Sequence, residues 1–82
     1  MDATQKKLIY RSWHRGTKEM DIILGRFADD FVPILSNQEL MDYDALLAEN
    51  DPDLYNWLTG RENIPDRLRM NKALDKLIAA QK

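Results

Sequence analysis

Thr17-Lys18-Glu19-Met20-Asp21-Ile22-Ile23-Leu24-Gly25-Arg26-Phe27-Ala28-Asp29-Asp30-Phe31 decides the fold. Met20, Ile23, Leu24, Phe27 and Phe31 recur at the spacing of a helix with a single apolar stripe. Thr17 suits the cap position, because its hydroxyl can accept a hydrogen bond from an otherwise unpaired amide of the first turn. Glu19 and Asp21 then lie in that turn, where a carboxylate is favoured by the positive end of the helix dipole. Pro33 ends the run or begins the exit from it, since it lacks an amide hydrogen and its ring clashes with the preceding turn. Gly25 inside the stripe costs about 1 kcal/mol relative to alanine. Either another helix approaches closely there or the glycine is a tolerated weak point.

Working outward, residues 4–14 predict a short first helix with Leu8, Ile9 and Trp13 on its apolar edge and Lys6, Lys7 and Arg11 in water. Gly16 is its natural stop, because a residue without Cβ can take the left-handed conformation that closes many helices. On the other side, Ser36-Asn37-Gln38-Glu39 is a capping box, and a third helix to about Glu49 buries Leu40, Tyr43, Leu46 and Leu47. In Asp51-Pro52-Asp53 the first residue reads as a cap, Pro52 as the first helical position and Asp53 as a dipole partner. The short fourth helix turns Leu54, Trp57 and Leu58 inward and stops at Gly60. After a polar link from Arg61 to Pro65, Asp66 is expected to cap a last helix with Met70, Leu74, Leu77 and Ile78 on its core edge. No segment alternates with period two or is rich in β-branched residues, so strands are not expected. The reading is an all-α bundle of about five helices forming one domain over residues 1–82.

Composition narrows the function classes. A chain of 82 residues has few apolar side chains beyond those its core needs, which argues against a large internal substrate cavity. With no cysteine, thiolate chemistry, disulfides and zinc–cysteine sites are excluded. No apolar run approaches the roughly 20 residues that span a bilayer, and neither a secretory nor a transit segment is read at the N-terminus. The net charge of −2 is unevenly distributed. Residues 1–18 carry five Lys/Arg against Asp2, residues 19–56 carry ten acids against Arg26, and residues 57–82 carry six bases against three acids. An acidic middle between basic ends suits a charged protein partner.

Catalytic and metal readings find little support. His14 is the single histidine, and Ser12, two residues away, points to another side of the helix. The acids Asp29/Asp30, Asp42/Asp44 and Glu49/Asp51/Asp53 lack the spacing and central glycine of a calcium loop, and capping or solvation explains most of them. No enzyme activity, metal or tightly bound cofactor is expected. Lys6, Lys7, Arg11, His14, Arg15 and Lys18, interleaved with Tyr10 and Trp13, could contact nucleic acid. That gives the alternative of a small helical nucleic-acid-binding or antitoxin-like regulator, which the acidic middle opposes.

Arg15-Gly16-Thr17-Lys18-Glu19 remains. One reading is a surface Arg–Glu pair around a capping glycine, worth a few tenths of a kcal/mol. The other is a docking corner, in which Arg15 offers planar donors, Glu19 an acceptor, and Gly16 room for a partner's backbone. Arg11, His14 and Lys18 extend that surface.

At these residues the chain resembles the small succinate dehydrogenase assembly factors of bacteria and mitochondria. The resemblance rests on Arg15-Gly16-Thr17-Lys18-Glu19-Met20-Asp21, which matches the family signature R-G-x-x-E with a following acid, and on Asp51-Pro52-Asp53-Leu54-Tyr55-Asn56-Trp57-Leu58. The apolar residues of Leu24 to Phe27 also fit. It implies a helical binding protein that engages the flavoprotein subunit of succinate dehydrogenase, and in some bacteria that of fumarate reductase. The family promotes covalent attachment of FAD to a histidine of that subunit, so the flavin belongs to the partner. Arg15, Gly16 and Glu19 match the functional motif. The second stretch reads mainly as caps and core, with Tyr55 and Asn56 as candidate contacts. The implied location is the cytoplasm of a bacterium, or the mitochondrial matrix for a processed homologue, with no nucleic-acid or membrane partner.

Overall fold

The computed structural model describes residues 1–81, and its architecture follows from how each helix is started. Helix α1 (Ala3–Trp13) opens on a capping box in which the Asp2 carboxylate accepts from the Gln5 amide at 2.9 Å. The Gln5 side chain in turn accepts from the Asp2 amide at 3.0 Å. Helix α2 (Lys18–Phe31) is capped by Thr17, whose hydroxyl accepts from the Met20 amide. Pro33 lies in a 3-10 turn over Val32–Ile34 that carries the chain out of α2. Helix α3 (Asn37–Leu47) begins with the expected Ser36/Glu39 box. Helices α4 (Asp51–Leu58) and α5 (Lys72–Ala80) complete five α-helices among the described residues.

Two expected starts are displaced. Asn50, not Asp51, caps α4: its side chain accepts from the Asp53 amide at 3.0 Å, and Asp51 is the first helical residue. Asp66 does not start the last helix. Asp66–Leu68 form a 3-10 turn, and Asn71 caps α5 through the Leu74 amide. The shift puts Leu68 in the core, while Met70, expected there, is 88% exposed.

Leu8, Met20, Leu24, Phe27, Ala28, Val32, Tyr43, Leu46, Leu54, Trp57, Leu74 and Leu77 are buried in one apolar cluster. Ile23, Phe31, Leu40, Leu58 and Ile78, also expected inside, pack at its margin. Helix α1 lies along α2 and α3 along α5. Gly25 is where α1 and α2 approach: a Cβ built there would clash with the Trp13 indole. The glycine is therefore a close-approach site rather than a weak point. A buried polar cluster joins three helices: Ser12 Oγ donates to Leu8 O at 2.7 Å and shares a 2.6 Å hydrogen bond with Tyr43 Oη, which also reaches Leu24 O. This fixes α3 against both α1 and α2.

Candidate functional site

The corner between α1 and α2 consists of four residues, His14 to Thr17. His14 closes α1 with its amide on Arg11 O. Its exposed ring stacks on Tyr10 with centroids 4.0 Å apart, and Nδ1 lies 2.7 Å from Tyr10 O. Gly16 follows at φ +104°, a conformation that side chains rarely adopt, with nothing within 4 Å of where a Cβ would sit. The glycine is needed for the turn and is also open to solvent. From α2, Asp21 reaches back so that its Oδ1 accepts the Arg15 amide. The corner is thus pinned by its own first helical turn.

The Arg15 side chain turns inward. Only 11% exposed, it donates from Nε to Asp51 Oδ1 at 2.9 Å, from Nη1 to Leu47 O at 2.5 Å and from Nη2 to Glu49 O at 2.6 Å. Leu47 ends α3, where the last carbonyls lack helical partners and concentrate the negative end of the dipole. All three guanidinium nitrogens therefore hold the α3–α4 junction, and the surface Arg15–Glu19 pair does not form. Asp51 is drawn into this contact instead of capping α4. Arg67 continues the network with both Nη atoms on the Glu49 carboxylate, at 2.6 and 2.8 Å, which holds Glu49 below the usual carboxylate range.

The other residues expected at the corner face outward. Gly16, Lys18 and Glu19 are exposed, and neither Lys18 nor Glu19 joins an ion pair among the described residues. Arg11 pairs with Asp44 across the surface, with both side chains open to water, so that contact contributes little. Across from the start of α2, the first turns of α4 complete a shallow groove: Thr17, Glu19 and Met20 form one wall, Asp51, Pro52 and Tyr55 the other.

Arg15, Gly16 and Glu19 thus share a corner but differ in office, Arg15 inside and Gly16 and Glu19 at the surface. Sequence reasoning missed the inward roles of Asp21, Asn50 and Asp51. Asn50-Asp51-Pro52-Asp53 did carry the signal for Asn50, since asparagine is as good a cap as aspartate. Ser12 is fully buried and His14 exposed, so the two do not form a catalytic pair. No three histidines or acids are grouped to hold a metal ion among the described residues.

The family described as "Flavinator of succinate dehydrogenase" matches residues 6–81. The chain is 39% identical over 80 residues to mitochondrial succinate dehydrogenase assembly factor 2 of Candida glabrata, covering 94% of this chain and 52% of that protein. Identity to the Dictyostelium discoideum protein of the same name is 38% over 66 residues, 80% of this chain and 47% of that one. For Komagataella phaffii it is 37% over 79 residues, 93% and 42% respectively. The chain spans about half the length of these relatives. With the family match covering residues 6–81 and the five-helix fold in place, the protein belongs to the family of succinate dehydrogenase flavinators.

Proposed function

We propose that this protein is an assembly factor that binds the flavoprotein subunit of succinate dehydrogenase and promotes covalent attachment of FAD to it. The family match over residues 6–81 carries this reading. The open turn at Gly16, beside Lys18 and Glu19, supports the α1–α2 corner as the docking surface. The protein acts as a binding partner and not as a catalyst. The flavin is linked to one of the partner's own histidines, and this chain holds none tightly. By binding one arrangement of the subunit more strongly than the others, the factor raises the population in which the histidine and flavin are aligned. A preference of about 2.7 kcal/mol shifts such an equilibrium roughly a hundredfold.

The flavoprotein of fumarate reductase is a second client of the same kind. Neither nucleic acid nor membrane is a partner in this reading, and among the described residues no helix is long and apolar enough to cross a membrane. The protein works where the client subunit is assembled: the mitochondrial matrix, in line with the names of the relatives, or the bacterial cytoplasm.

Co-elution tests the reading. Mixed with the isolated flavoprotein subunit, the protein is expected to migrate with it on size exclusion, and Gly16→Arg to abolish the complex while Gly16→Ala retains it. A wild-type protein that elutes alone would overturn the proposal. Titration with free FAD is expected to give no saturable change in flavin fluorescence, and a saturable one would show a flavin carrier instead.

A further inference from the structure

Resting on that reading, we propose that the docking surface extends beyond the corner to the first turns of α4, and that the groove between them receives a lysine or arginine side chain of the client, paired with Glu19. The occupant follows from charge. Residues 19–56 hold ten acids against one base, but much of this charge is spent internally. Asp44, Glu49, Asp51 and Glu39 are paired with Arg11, Arg67, Arg15 and Lys76. Asp21 and Asp29 accept hydrogen bonds from Arg15 N and Trp13 Nε1, and Asp42 from Gln38 and the Lys72 amide. Glu19, like Asp30 and Asp53, has no ion pair or side-chain hydrogen bond among the described residues, but of these three only Glu19 stands on the groove wall.

The groove has the chemistry to receive a cation on an apolar stem. Pro52 and Tyr55 supply the surface a methylene chain would cover, and Glu19 supplies the acceptor for its charged head. The groove's other carboxylate, Asp51, is taken by Arg15, so a cation entering there has Glu19 as its free partner. Arg15 itself acts as a positioning residue. Through Asp51 and the carbonyls of Leu47 and Glu49 it holds the α4 wall beside the corner.

The test is the affinity for the isolated flavoprotein subunit, measured calorimetrically over a range of salt. Glu19→Gln keeps the shape and removes the charge. Pro52→Arg, at an exposed position, supplies the groove with a cation from within. Asp75→Asn, on α5, removes a remote negative charge as a control. We expect Glu19→Gln and Pro52→Arg each to weaken binding about tenfold or more, and Glu19→Gln to flatten the salt dependence, with Asp75→Asn within twofold of wild type. Binding by Glu19→Gln as tight as wild type would overturn the cationic occupant. Full binding by Pro52→Arg would overturn the α4 wall. If the wild type did not bind the subunit at all, the assembly reading itself would fail, which separates the two failures.

Discussion

Replacing Arg15 by alanine should destabilise the free protein, well before any partner is considered. The substitution strips Asp51, whose side chain is 15% exposed, of its cation and leaves the carbonyls of Leu47 and Glu49 without donors. Each charge-assisted hydrogen bond contributes about 1.5–3 kcal/mol. The three share one side chain and do not add, and removing one partner of a fully buried ion pair costs about 3–5 kcal/mol. Because Asp51 can recover some water, about 2–4 kcal/mol is expected. A domain of this size has about 4–12 kcal/mol in total, so the loss takes a large fraction. At about 4–8 °C per kcal/mol, the melting midpoint should fall by about 8–32 °C. The assay is thermal unfolding by circular dichroism, with Arg11→Ala as the exposed-pair control, where less than about 1 kcal/mol is at stake. Arg15→Lys should fall between, since a single ammonium cannot reproduce the three-pronged contact. If Arg15→Ala melted together with Arg11→Ala, the inward role of Arg15 would be refuted.

Other perturbations probe different parts of the fold. Gly25→Ala should destabilise by about 1–2 kcal/mol: alanine gains about 1 kcal/mol of helix propensity, but displacing the Trp13 ring costs more. A red-shifted tryptophan emission would accompany the loss, whereas a stabilised variant would contradict the close approach. At Gly16, alanine and arginine should cost similar stability, about 1–2 kcal/mol from the positive φ alone, as denaturant unfolding would show. Only arginine should block docking, because the space around the glycine is open. Burial pushes the Tyr43 phenol up to about 12 from its ordinary value of 10, so its contribution to stability is complete below pH 10 and is lost as pH rises towards 12. Tyr43→Phe should flatten the alkaline stability profile between those values, and an unchanged slope would show that the phenol is not its source.

Much of the fold was legible because its determinants are local. The apolar spacing from Met20 to Phe31, the capping box at Ser36 and the stops at Gly16 and Gly60 each depend on residues within one or two turns. The failures have long-range or competing causes. Asp51 was a plausible cap until Arg15, 36 residues earlier, claimed its carboxylate and left the amide of Asp53 to Asn50. At the start of α5, Asp66 and Asn71 both had cap chemistry. The 3-10 turn at Asp66–Leu68 buries Leu68 and defers the helix, which sends Met70 into water. At the corner, residue types disclosed a motif but not the direction of its side chains. Arginine suits a partner's carboxylate and the end of a neighbouring helix equally well. Only the tertiary arrangement separates the inward Arg15 from the outward Glu19.

The most direct measurement is covalent flavin on the succinate dehydrogenase flavoprotein subunit, produced in cells lacking their own factor. The subunit is expressed alone, with this protein, or with its Gly16→Arg variant, and ultraviolet fluorescence of the denatured band reports attached flavin only. The expected result is a band that strengthens with the wild type and fades with the folded variant. Equal fluorescence with and without this protein, both chains being well expressed, would contradict a role in flavin attachment.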